Sequence, residues 1–110
     1  MFLRLLILSL GLFSYGLLRA GDLSFTQDIR PLLSDACFHC HGPDSKAREG
    51  KLRLDDRASA IKAGILSNGE MIERLLSKDP EERMPPPNSK RVLRSQDRAK
   101  LVQWLKAGAE

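Results

Sequence analysis

Both cysteines and both histidines of this 110-residue chain fall within five consecutive residues, Cys37-Phe38-His39-Cys40-His41. No other stretch restricts the fold as much, because any domain built around it must present two thiols and an imidazole at one place. On a helix, Cys37 and Cys40 lie three apart and share a face, with His41 four from Cys37 beside them. C-x-x-C-H at this spacing reads as an attachment site for c-type haem, the thiols bonding to the porphyrin and the histidine reaching the iron. Two other chemistries use the same residue types. A metal-binding module could hold zinc with Cys37, Cys40 and His39 or His41, but closed sites take four ligands, usually as two separated pairs, and no second pair exists here. A thiol–disulfide motif normally sits in a βαβ context, which the pattern lacks, and it leaves His41 without a role.

The first twenty residues have the pattern of an export signal. Arg4 supplies the positive n-region, Leu5 to Leu18 is a mostly apolar run, and Ala20 is a small residue suited to cleavage before Gly21. The run is short against the roughly 20 apolar residues of a spanning helix, so residues 1–20 read as a signal peptide, with an N-terminal membrane anchor as the alternative. Without them 90 residues remain, enough for one small domain over 21–110, and the formal charge falls from +4 to +2 because Arg4 and Arg19 leave. Acids interrupt the basic residues: Arg53 meets Asp55 and Asp56, and Lys78 meets Asp79, Glu81 and Glu82. With no basic run and almost no aromatic among the charges, nucleic acid is not an expected partner. Phe25, Phe38 and Trp104 are the only aromatics after the signal. A domain of this size buries little surface, and a porphyrin would supply an apolar body for short helices to pack on.

The spacing of Phe25, Ile29, Leu32, Leu33 and Ala36 predicts a first helix, with Thr26 or Asp28 as N-cap and Pro31 in or near the first turn. It leads into the cysteines, which are expected on its last turn, with Gly42-Pro43 as the stop. Asp44 to Lys51 reads as a surface loop, and Leu52-Arg53-Leu54 as a short extended piece. Asp55 or Asp56 is expected to cap a short helix carrying Ala58 and Ile61, with Gly64 as its C-terminal signal. Ser67 and Glu70 form an S-x-x-E capping box. It would open a helix whose Met71, Ile72, Leu75 and Leu76 share a face, closed by Asp79-Pro80. Met84-Pro85-Pro86-Pro87 forms a stiff extended strap. A last helix follows, with Ser95 as N-cap, Asp97 in its first turn, and Leu101, Val102, Trp104 and Leu105 as its stripe.

His41, placed by the motif, is the proximal iron ligand. His39, Met71 and Met84 are the candidates for the second axial position. Met71 has helical apolar partners and reads as core, whereas His39 sits between the cysteines and should point away from the haem-bearing face. Met84 stands in a polar loop against a rigid strap, so it is the expected distal ligand. His/Met ligation fills both axial positions and raises the potential, which suits electron transfer. An alternative keeps the haem but makes Met84 displaceable, as in a sensor or a catalytic accessory domain of a larger enzyme. The imidazole Nδ1–H needs an acceptor, for which a carbonyl after Pro43 is expected. Arg53 or Lys51 could meet a haem propionate.

Five segments carry a family resemblance: Phe25 to Leu33 (FTQDIRPLL), Cys37 to Asp44 (CFHCHGPD), Leu52 to Asp55 (LRLD), Glu82 to Pro87 (ERMPPP) and Trp104 to Ala109 (WLKAGA). In this order they resemble the cytochrome c-like domain at the head of large planctomycete-type secreted proteins. The resemblance implies an all-α, class I cytochrome c-like fold of three to five short helices around one covalent haem c. It implies thioether attachment at Cys37 and Cys40, His41 and Met84 as axial ligands, and Trp104 packed near Phe25. An exported electron-transfer domain of the periplasm or cell envelope would need haem-attachment machinery and a redox partner protein. The stretch Ile65 to Gly69 is shorter than the Pro-Gly loop of similar domains. A free-standing cytochrome and a piece of a larger protein are both compatible with these segments.

Overall fold

The computed structural model describes residues 23–110. The signal or anchor expected over residues 1–20 lies outside the described residues. Four α-helices carry the fold: α1 (Arg30–Ala36), α2 (Arg57–Lys62), α3 (Glu70–Leu76) and α4 (Ser95–Lys106). A π-helical turn, Phe25–Ile29, runs directly into α1, and a 3-10 turn, Pro87–Ser89, lies between α3 and α4. No strand occurs among the described residues, and none of the described helices is long and apolar enough to cross a membrane. The helical class expected from the sequence is therefore observed.

The opening of the first helix shows how a proline is accommodated well inside a helical run. Ser24 is the N-cap: its hydroxyl accepts from Gln27 N–H at 3.3 Å, while Asp28 Oδ2 accepts from Ser24 N–H at 2.8 Å. This reciprocal pair satisfies two of the orphan donors of the first turn. The cap is thus Ser24, and neither Thr26 nor Asp28; Asp28 contributes from inside the turn. Arg30 N–H then bonds Phe25 O, five residues back. Pro31 follows, with no N–H to donate and a ring that crowds the carbonyl four residues earlier. Widening the backbone just before it relieves both problems, so α1 starts again at the proline.

The start of α2 follows its local signal, whereas those of α3 and α4 do not. Asp56 caps α2, accepting from Ser59 N–H at 3.1 Å and from the Ser59 hydroxyl. In α2 the buried residue is Ala60, whereas Ala58 is exposed and Ile61 is 56 % exposed. The Ser67/Glu70 capping box does not form. Gly69, at φ 81°, is the N-cap of α3, and Asn68 Oδ1 accepts from Glu70 N–H at 2.9 Å. A left-handed residue at that point turns the chain into the helix, and glycine adopts it without a steric cost. Met71 and Leu75 face inward, but Leu76 is 56 % exposed, and α3 ends there rather than at Asp79-Pro80. Arg94, not Ser95, is the N-cap of α4. Its guanidinium forks onto buried Asp97 at 2.8 and 3.3 Å and holds that carboxyl below its usual pKa, chiefly by hydrogen bonding.

The core is a single cluster in which Ile29 and Leu33 from the first helical run meet Leu101, Val102, Trp104 and Leu105 of α4, with Ala60, Ile65, Met71 and Leu75 closing it. Helix α4 packs against both α3 and the π turn. Trp104 stacks on Phe25 with ring centroids 5.7 Å apart and planes tilted by 35°, the crossing implied by the family resemblance. Its indole N–H donates to Glu110 O at 3.0 Å, so the ring is buried with its polar atom satisfied. Arg57 Nη1 donates to Ala109 O at 2.6 Å and ties α2 to the end of the chain. Trp104→Ala should therefore lower the unfolding free energy by about 3–5 kcal/mol, measured by denaturant titration; a loss below about 1 kcal/mol would place the ring outside the core.

Candidate haem-binding cleft

The C-x-x-C-H segment does not continue α1. The helix ends at Ala36, about one turn earlier than expected, and Cys37 to His41 form a hydrogen-bonded turn just beyond it. Cys37 and Phe38 both donate their N–H to Leu33 O, at 2.8 and 3.0 Å, which closes the helix. His41 N–H then returns to Cys37 O at 2.8 Å and Cys40 N–H to the same carbonyl at 3.2 Å. One carbonyl thus gathers the two ends of the motif, and the thiols and imidazole are brought together by a turn rather than by helical periodicity. Gly42 makes the turn possible in a specific way. A Cβ at that position would lie 2.1 Å from Phe38 O, so no side chain fits.

The loop after Pro43 fastens back onto this turn. Glu49 N–H donates to Cys40 O at 2.7 Å, Leu54 N–H to His41 O at 2.8 Å, and Arg48 Nε to Gly42 O at 3.0 Å. The LRLD segment forms neither helix nor strand, and it lays Leu52 and Leu54 along the motif. The strap is anchored from the other side. Met84 N–H donates to Arg74 O at 3.0 Å, and Ser89 N–H and hydroxyl both donate to Pro86 O, at 3.0 and 2.7 Å.

Between turn and strap lies a cleft of about 330 Å³, within the size range of small-molecule sites. Cys37, Cys40, His41 and Met84 all line it, together with Leu52, Leu54, Ile65, Met71, Leu75, Pro85 and Pro86. The structure thus brings together the four residues singled out from the sequence, although Met84 is more than forty residues from the motif. Met71 is a buried core residue that also forms part of the cleft wall. His39 is exposed, but it stands on the lining of the cleft rather than turned away from it.

Both cysteines are free thiols. Burial pushes the Cys37 thiol up to about 11, and the neighbouring Cys40 adds to the rise. A thiol–disulfide catalyst needs a lowered thiol pKa, so this environment is the wrong one for that chemistry. Among the described residues no three His, Cys, Asp or Glu side chains are grouped to hold a metal ion, which removes the support for a closed zinc site. His41 Nδ1 is buried and has no hydrogen-bond partner. The carbonyl expected after Pro43 does not accept from it. A buried unpaired polar atom costs about 1–3 kcal/mol, and its position beside two free thiols in an apolar cleft fits a site made for a group from outside the chain.

The cations differ from those expected. Arg53 forks onto Asp55 at 3.0 and 2.7 Å, and neither Arg53 nor Lys51 lines the cleft. Arg74 and Arg91 do. Arg74 also meets Glu70 at 3.2 Å, and Arg91 reaches Asp35 O at 3.5 Å. The sequence carried no signal for these two, because each is brought to the cleft by the path of the chain rather than by a local motif.

Residues 37–88 match the family model described as Planctomycete cytochrome C, a span that includes the motif turn, the LRLD segment and the Met84 strap. No curated protein and no solved structure matches the chain. The tight contact at Gly42 gives a direct check on the site. Gly42→Ala should open the motif turn, costing on the order of 1–3 kcal/mol and sharply reducing the yield of haem-loaded protein, measured as covalent haem per chain. An unchanged yield would mean that the turn tolerates a Cβ.

Proposed function

We propose that this chain, whose residues 37–88 match the model of the planctomycete cytochrome C family, is an electron-transfer domain of the cell envelope that carries one haem c. The observation that carries this reading is the single cleft in which Cys37, Cys40, His41 and Met84 meet. When bound, the haem supplies a one-electron iron couple. Cys37 and Cys40, both reduced and held at the mouth of one turn, are the thioether attachment points. His41 offers an imidazole nitrogen as the proximal ligand, and its main chain is held by hydrogen bonds at both its N–H and its carbonyl. Met84 offers the distal thioether from the strap.

Were His41 and Met84 both to hold the iron, no open position would be left for oxygen, and the domain would move electrons rather than activate a substrate. The apolar wall of Leu52, Leu54, Ile65, Met71, Leu75, Pro85 and Pro86 excludes water and so helps to set the potential. Covalent attachment requires haem-attachment machinery and hence export, for which residues 1–20 supply the signal or the anchor. The partner is a redox protein rather than nucleic acid.

Two measurements test this. Protein made in a host with haem-attachment machinery should retain its haem through acid–acetone extraction and lose holo-protein formation in the Cys37→Ala, Cys40→Ala double variant. Colour that extracts freely would remove covalent attachment. Ferrous wild-type protein should bind carbon monoxide poorly, and Met84→Ala should bind it readily with a lowered reduction potential. Ready binding by the wild type would instead favour a displaceable ligand and a sensor or catalytic accessory role.

A further inference from the structure

Met84 has no helical neighbours to hold it, and its side chain is only half-buried. Its position is set through its backbone. The N–H donates to Arg74 O, at the end of α3, at 3.0 Å. The carbonyl accepts from Arg98 Nη1 at 3.1 Å, and the same nitrogen donates to Leu75 O. Arg98 stands on the first turns of α4, so one guanidinium nitrogen joins three separate pieces of chain: the last turn of α3, the strap and α4. Met84 is thereby held through both of the peptide groups that flank its Cα, its N–H by α3 and its carbonyl by α4.

We propose that Arg98 is a positioning residue for the second axial ligand, acting through the Met84 carbonyl to keep the strap closed over the cleft. The inference rests on the reading of Met84 as the distal ligand. Arginine suits the role for three reasons. It stays charged whatever its burial, its hydrogen bonds to neutral carbonyls are charge-assisted, and its rigid fork loses little freedom on binding. Leu75 O and Met84 O both lie where helix end and loop would otherwise present unpaired acceptors, so removing the guanidinium frees the strap and leaves two carbonyls to water. A methionine sulfur is a weak ligand whose occupancy depends on how often its loop opens. Loosening the loop should therefore be read at the iron before it is read in the fold.

The test uses haem-loaded protein. Arg98→Ala should raise the carbon monoxide affinity of the ferrous form by about ten- to hundredfold, the factor expected for losing one charge-assisted hydrogen bond. It should also lower the reduction potential and speed amide exchange at Met84. Arg98→Lys, which keeps a charge and a donor, should fall between the two. Arg98→Met, which keeps the apolar stem without donors, should behave as alanine and serves if the alanine variant does not fold. Trp104→Ala is the control for general destabilisation, and it should leave carbon monoxide affinity near that of the wild type under native conditions. Wild-type values of affinity and of Met84 amide exchange in Arg98→Ala and Arg98→Met would overturn the proposal. If wild-type protein already binds carbon monoxide as tightly as Met84→Ala, the distal-ligand reading fails and the positioning role falls with it. Faster Met84 exchange in Arg98→Ala would still separate that result from a failure of the clamp.

Discussion

The carbonyl of Phe38 occupies the space that any side chain at residue 42 would need, and the site follows from that contact. The chain can fold back after His41 only if the next residue lacks a Cβ. Because it does fold back, His41 O is free to receive Leu54 N–H and Cys40 O to receive Glu49 N–H. Two strands of loop then lie side by side without forming a sheet, and the apolar residues of the second become the wall of the cleft. A chain with the same cysteines and histidine but with alanine at 42 would have the ligands without the surface that surrounds them.

Helix α4 plays the complementary part at long range. Its apolar stripe buries Leu101, Trp104 and Leu105 against the first helical run, and this packing fixes the segment that ends in the motif turn. Its polar side supplies Arg98, which ties down the strap. The two halves of the cleft are therefore attached to one helix by different physics: area burial, which is non-directional and roughly proportional to apolar surface, and charge-assisted hydrogen bonds, which are directional. The first sets how stable the arrangement is. The second sets where one particular backbone carbonyl sits.

What could be read from the residues divides along the same line. The motif, the four cleft residues and the helical class were legible, because each depends on spacing or on a strongly apolar side chain, and the Phe25–Trp104 packing was implied by the family resemblance. Apart from Asp56 at α2, the helix starts were not legible. Ser24, Gly69 and Arg94 took the N-cap positions from Thr26 or Asp28, Ser67 and Ser95, since several polar residues within one turn can cap and the tertiary path chooses among them. Ile61 and Leu76 looked like core by period yet are each 56 % exposed, because a helix of six or seven residues has room to bury only one or two side chains against a small core. Arg53 looked available for a carboxylate ligand but is held by Asp55 two residues away, a pairing that local spacing permits but does not compel. Arg98 carried no signal at all, as its partners lie 14 and 23 residues away.

If Met84 is the distal ligand, as proposed, the manner in which it is held bears on whether its sulfur would be fixed or displaceable. A ligand on a loop anchored at one end swings out at the cost of its own bond to iron. Met84 is anchored at its N–H by α3 and at its carbonyl by α4, and the residues that follow are proline, whose backbone has little freedom to gain on release. Displacing the sulfur therefore requires either breaking backbone hydrogen bonds or rotating the side chain alone within a cleft already walled by Met71, Leu75 and Pro85. Both routes add to the cost of opening, and small reorganisation at the metal is what one-electron transfer needs. A sensor requires the reverse, a ligand loop whose bonds are few enough for an incoming molecule to compete with. The double anchorage of Met84 thus weighs toward an electron carrier, and it does so through contacts made by the backbone of the chain rather than by the sulfur.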